Sequence, residues 1–198
     1  MIQMPQARLW PVFASMAALA ACSGPAVPDP EQMNASYEAA LERTAPLAVE
    51  LPGDGAVALA QVESFFRSMS VAAVREQAGL TYAPEAYLND NIAIVQGAPA
   101  IGEYFARTLE RLDGLQVVFL DVMHNGPEYF VRWRMTVTSP RFNDGVPMVS
   151  YGVTHFRFDE RGRILVHKDF WDAGTGLYEY VPGLRGVLRR LRAAAENG

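Results

Sequence analysis

Hydrophobic and polar positions alternate along residues 163–172, RILVHKDFWD. Leu165, His167, Asp169 and Trp171 fall on one side, and Ile164, Val166, Lys168, Phe170 and Asp172 on the other. That is the period of a β-strand, whose successive side chains point to opposite faces. One face therefore lines up an imidazole, a carboxylate and an indole. A carboxylate among aromatics on the inner face of a sheet is costly unless a partner or a reaction uses it, so Asp169 marks the centre of a candidate pocket. Three further strands precede it. Residues 115–124 join 128–139 through Asn125-Gly126, a strong hairpin signal. FNDG at 142–145 turns the chain into a strand over 147–158, and DERG at 159–162 turns it into the last. Hairpins in series make an antiparallel meander.

Upstream the period becomes helical. Val57, Ala60, Phe65, Met69, Val71 and Val74 give residues 56–78 a broad apolar face opposite Glu63, Arg67, Arg75 and Glu76. The pattern predicts one helix, or two with a break near 68–70, and Gly79 is a candidate C-cap. Residues 82–91 predict a short strand entering a turn, with 92–96 as its partner. Pro99 opens a helix in the first turn, where its missing N–H costs least. That helix runs to about Leu112, with Ile101, Tyr104, Phe105, Leu109 and Leu112 at helical spacing. A short helix is also predicted over 31–43; two prolines and two glycines in 44–55 stop it. Helices followed by a hairpin sheet make an α+β fold.

The two ends carry other signals. Leu184, Val187, Leu188 and Leu191 make one apolar stripe, with Arg185, Arg189, Arg190 and Arg192 around it. Two readings stand: a docked helix with a solvated basic face, or a helix lying on anionic lipid. At the N-terminus the apolar run LWPVFASMAALAA follows the single charge Arg8 and ends in small residues. That is the pattern of a secretory signal, too short for a membrane span. Leu19-Ala20-Ala21-Cys22 resembles the lipobox of bacterial lipoproteins. In those proteins the signal is cut before the cysteine and the new N-terminus is lipidated. The resemblance implies a lipidated Cys22 that anchors the chain to membrane on the periplasmic side of a bacterial cell envelope. SGPAVPDP at 23–30 then reads as tether.

Composition narrows the function classes. The 198 residues, half of them hydrophobic, suit one globular domain with extras at the ends. A formal net charge of -5 argues against nucleic acid, whose binding needs a basic footprint. One cysteine excludes an intrachain disulfide and a cysteine-rich zinc site. The three histidines lack metal-ligand spacing, so no metal is expected. No Gly-rich phosphate loop, HExxH or nucleophile elbow is present, and no cofactor is expected.

The order of elements, with Val-Arg-Trp-Arg at 131–134 and the closing HKDFWD at 167–172, resembles the NTF2-like superfamily. Its members include SnoaL-like proteins, ketosteroid isomerases and limonene epoxide hydrolases. The resemblance covers about residues 55–177. It implies a curved, mostly antiparallel sheet wrapped round helices into a cone with one deep pocket, and often a homodimer through the outer sheet face. The chain then divides into a signal (1–21), a tether with a short helix (22–54), the SnoaL-like domain (55–177) and a basic amphipathic helix (178–198).

In the epoxide hydrolase pattern, a tyrosine and an asparagine of Tyr-x-Asn and an aspartate of Arg-Asp-Tyr-Phe-Asp hold the attacking water. Tyr87 and Asn89 match the first pair, and Asp169 in Lys-Asp-Phe-Trp-Asp matches the aspartate. Arg132 matches the arginine of that family's Arg-x-Asp, but Arg134 stands where its acid should be. Arginine does not give up its proton, so half of that apparatus is missing. The isomerases carry an aspartate base on the first strand. Asp90 lies near that place, but alternation turns it outward if Tyr87 and Asn89 face in.

These observations lead us to expect a protein that binds a small, mostly apolar molecule. His167, Trp171, Arg134, Phe105 and Phe130 are the expected pocket residues, with Gly152 leaving room. If the molecule is turned over, the expected chemistry is water addition or a proton shift, hydrolase- or isomerase-like. Asp169 would be the base, Tyr87 and Asn89 would position water or a substrate oxygen, and Arg132 or Arg134 would stabilise negative charge. The alternative is a non-catalytic interaction or dimerisation module with a vestigial pocket, Asp169 being tied up by both arginines. His155 is expected to point outward and His124 to be exposed. If Trp133 rather than Arg132 points inward, the arginine roles fail.

Overall fold

The computed structural model describes residues 29–181 and 183–196. The signal, Cys22 and the first part of the tether lie outside the described residues. Among these residues six α-helices, α1 (Pro30–Thr44), α2 (Ala56–Arg67), α3 (Val71–Thr81), α4 (Ala98–Leu109), α5 (Ala173–Gly176) and α6 (Leu184–Glu196), accompany six strands. These are β1 (Tyr82–Asn89), β2 (Ile94–Gln96), β3 (Gly114–Asn125), β4 (Glu128–Thr138), β5 (Met148–Phe158) and β6 (Ile164–Trp171). The sheet order is β2-β1-β6-β5-β4-β3. The four long strands form the expected meander, and β1 joins it parallel to β6. The fold is α+β.

Local sequence accounts for most boundaries. The side chain of Ser70 accepts from the N–H of Ala73, which starts α3 and breaks it from α2 near the predicted position. Gly79 does not cap that helix, because α3 runs on to Thr81 and passes directly into β1. Asp29 and Gln32 form a capping box at the head of α1. Gly126 takes a left-handed φ of 56° in the β3–β4 hairpin.

The core lies between the inner sheet face and α2, α3 and α4. Phe65, Phe66, Val74, Ile101 and Phe105 meet Tyr82, Tyr129, Val131, Phe156 and Leu165 there. On β4 the apolar positions Tyr129, Val131 and Trp133 are buried, while Arg132 and Arg134 are exposed. The strand thus turns its apolar set inward.

The outer face of β1, β6 and β5 is covered by α1. Ala40 packs against Tyr87 and Val166, and the Tyr37 ring meets His155 and Phe170 edge-on. A polar seam lies beneath. The Tyr37 hydroxyl bonds His155 Nδ1 at 2.7 Å, His155 Nε2 meets Glu128, and Arg157 donates to Glu128 and to the Leu41 carbonyl. Burial raises the Glu128 carboxyl, but hydrogen bonds from Arg157 and His155 outweigh it and hold it below the usual carboxylate range. Burial also pushes His155 below its ordinary value, against the pull of Glu128. His155 therefore points outward as expected, but into a seam rather than into water. His124 is half-buried, stacked on Tyr129 and near Asp54.

Candidate active site

The inner sheet face and α4 enclose a cavity of about 420 Å³. Apolar walls come from Phe66, Phe105, Val117, Phe119, Met135 and Phe156, a size and lining typical of small-molecule sites. Set into these walls are Asp169, His167, Asp90, Tyr104, Thr154 and Trp171.

Asp169 projects inward from β6, as the alternation predicts. Its Oδ1 accepts from the Thr154 hydroxyl and lies 3.1 Å from His167 Nε2. Thr154 in turn accepts from Trp133 Nε1 at 2.8 Å. On the far side, His167 Nδ1 lies 2.9 Å from the Tyr82 hydroxyl. An ionised carboxylate only accepts, so Nε2 carries the imidazole proton. When the imidazole carries that one proton, Nδ1 is the acceptor and Tyr82 donates to it. Burial, with the charges of Asp169 and Asp90, pushes the Tyr82 hydroxyl well up and keeps its proton in place. The chain is therefore Tyr82 to His167 to Asp169. Among the described residues no group donates to the second oxygen, Oδ2, of Asp169.

Asp90 stands where β1 ends. Its Oδ1 accepts from the N–H groups of Ile92 (2.9 Å) and Ala93 (2.8 Å), and its Oδ2 from the Tyr104 hydroxyl. Burial raises its carboxyl above the usual range, against these bonds, and the charge of Asp169 adds to the rise. Trp171 Nε1 donates to the Asp90 carbonyl at 2.8 Å, which ties the end of β6 to the turn after β1. Two carboxyl groups thus share one apolar cavity. One accepts from an imidazole, and the other is biased toward holding a proton, the division of labour that acid–base catalysis needs.

Several expected site residues lie elsewhere. Tyr87 and Asn89 face outward beneath α1: the Tyr87 hydroxyl bonds Ser36, and Asn89 Nδ2 donates to Tyr87 and to the Met33 carbonyl. Their parity on β1 forces this, since Leu88 and Asp90 take the inner face. Arg132 is on the outer face and pairs with Asp121 across β3. Arg134 is exposed on that same face, and Phe130 stacks on His155 there. Trp133 fills the inward position instead, so neither arginine reaches Asp169, and the ion pair expected to tie up that residue does not form. His167, Trp171 and Phe105 line the cavity as expected. Gly152 does leave room, and the Trp133 ring takes it: a Cβ at 152 would collide with the indole. Gly152→Ala should therefore cost about 1–3 kcal/mol through overpacking, read as a lower urea midpoint at unchanged slope.

The sequence reading missed Asp90, Tyr104, Tyr82 and Thr154 as site residues. Alternation along β1 carried the signal for Asp90, once Tyr87 and Asn89 are assigned outward. Tyr104 shares its helical stripe with Phe105, and nothing in the sequence marks its hydroxyl as an Asp90 partner. Among the described residues no cluster of three or more His, Cys, Asp or Glu is placed to hold a metal ion.

Comparison with known proteins agrees with this architecture. The profile of the SnoaL-like domain matches residues 62–167. A protein of ketosteroid isomerase-like fold from Catenulispora acidiphila, crystallised with trimethylamine, superposes with a TM-score of 0.55 at 15% identity; the match covers 63% of this chain and 93% of the other. TsrD from Streptomyces laurentii gives 0.53 at 14% identity, covering 67% and 98%. TerC, co-crystallised with polyporic acid, gives 0.50 at 16% identity, covering 61% and 92%. At such identities the likeness concerns the fold. No curated protein matches the sequence.

Proposed function

The chain belongs to the SnoaL-like domain family, and on that premise we propose that its cone binds a small, mostly apolar molecule and moves a proton on it. The observation that carries this reading is the pair of carboxyl groups, Asp169 and Asp90, set in one apolar cavity with Asp169 Oδ2 taking no donor among the described residues. Asp169 is the base, and it takes a proton from a bound carbon acid or from a water poised beside the ligand. His167, held by Tyr82, orients the carboxylate and spreads the charge change. Asp90 with Tyr104 is the acid side, donating to an oxygen on which negative charge develops. The reaction is then an isomerisation or a water addition. The size and apolar walls of the cavity support a ligand of about drug-fragment size with one polar end. The open cavity, and the arginines turned away from Asp169, weigh against the vestigial-pocket module.

Native mass spectrometry of the full chain, purified gently from a bacterial envelope, tests both parts of the reading. The wild type should retain an apolar small molecule. Val117→Trp, which fills the cavity, should lose it. Asp169→Asn should retain a compound whose structure or mass differs from that on the wild type, because substrate accumulates when the base is gone. The same ligand at the same occupancy on all three proteins would sink the proposal.

A further inference from the structure

We infer that α6 docks the protein on an anionic lipid surface beside the mouth of the cone. None of the 13 residues of this helix is buried. Leu184, Val187 and Leu191 recur at helical spacing on one side and are 43%, 51% and 61% exposed. Arg185, Arg189 and Arg190 flank that stripe, all exposed and in no ion pair among the described residues. The helix is thus amphipathic, yet its apolar side lies against little. Lying in the plane of a bilayer interface, the stripe enters the acyl boundary while the arginine stems rise to the headgroups.

Charge selects the occupant. The chain as a whole carries -5, whereas α6 carries four arginines and one glutamate. A second copy placed symmetrically on this stripe would bring two arginine clusters together. An anionic headgroup layer meets the same cluster with opposite sign.

Position gives the docking a purpose. Gly176 and Leu177, which lead from β6 toward α6, line the cavity, and Arg192 pairs with Glu179 of the intervening turn. Arg111 and Arg141 also line the cavity, and both are exposed and unpaired among the described residues. The cone therefore meets lipid mouth-side, and an apolar ligand passes between bilayer and pocket with little exposure to water.

Co-sedimentation of the full chain with phosphatidylcholine vesicles tests this, with phosphatidylglycerol either omitted or making up roughly a third of the lipid. The wild type should bind the anionic vesicles more tightly. R185Q/R189Q/R190Q should weaken that binding by about a hundredfold at low salt. V187S/L191S should weaken it as well, with the charge unchanged. The N-terminal segment is common to all variants and cancels in the comparison. Because no α6 side chain is buried, melting temperatures should stay at the wild-type value, which separates lost docking from lost fold. Equal binding to both vesicle types, or wild-type binding by the arginine variant, overturns the inference. So does a change in oligomeric state by light scattering without vesicle binding, which would assign the stripe to a second copy.

Discussion

Asp169→Asn is expected to slow turnover of the bound molecule by about 10²–10⁴-fold, the usual contribution of a positioned general base. The substitution is nearly isosteric, and the asparagine oxygen still accepts from Thr154 and from His167 Nε2. The thermal midpoint should therefore hold while the rate collapses. The measurement is a rate constant on the co-purified ligand, with a melting curve on the same sample. A rate within threefold of wild type would remove Asp169 from the chemistry. Tyr82→Phe supplies the companion test. It strips the donor from His167 Nδ1, frees the imidazole to adopt the other tautomer and leaves a buried nitrogen unpaired. A positioning role predicts a displaced pH–rate profile. A purely structural role predicts a lower melting temperature with the profile in place.

Glu128→Gln is expected to destabilise the protein by about 3 kcal/mol, the lower part of the range for breaking a buried ion pair. The variant leaves Arg157 without its anion, and its single amide oxygen can accept from Arg157 or from His155 but cannot replace both carboxylate oxygens; both of those side chains are largely buried under α1. For a chain of this size that is a fall of roughly 10 °C in the thermal midpoint.

Acid should weaken the same seam. His155 has a folded pKa below its unfolded value of about 6.5, so the unfolded chain takes up its proton first, and stability drops as pH falls below that value. Glu128 is likewise depressed, so its contribution is lost further down, as pH falls through its folded pKa. Proteolysis between α1 and α2, followed from neutral to acid pH, should accelerate in two stages. In Glu128→Gln only the first should remain.

The long strands were legible in the sequence because Asn125-Gly126, FNDG and DERG mark the turns between them and residue types alternate along each. On β6 alternation placed His167, Asp169 and Trp171 in the cavity without other information. On β4 the same rule was available: Tyr129, Val131, Trp133, Met135 and Val137 form an unbroken apolar set, and the arginines sit on the other parity. The family motif that Arg132 matches runs against this parity, and in the structure the parity prevails. On β1 the rule had less to act on. α1 covers the outer face, so Tyr87 and Asn89 are as fully buried as Leu88, and burial stops distinguishing the sides. A strand buried on both faces loses the polarity contrast that reveals register. Asp90 was lost for that reason, and Tyr104 and Tyr82 with it, because hydrogen bonds between distant residues leave no periodic trace.

The same three groups meet twice, once on each side of the sheet. Tyr82, His167 and an acid stand on its inner face; Tyr37 of α1 meets His155 and an acid on its outer face. The two imidazoles sit on adjacent strands, and the register pairs each with the other's chain neighbour, Phe156 with His167 and His155 with Lys168. Among the described residues only the outer acid is neutralised by an arginine. The molecule therefore contains its own reference compound. In a nitrogen-15 spectrum, the ring signals of His155 should stay fixed as a ligand is titrated in, and those of His167 should move. Any agent that shifts both is perturbing the protein at large and is not occupying the cone.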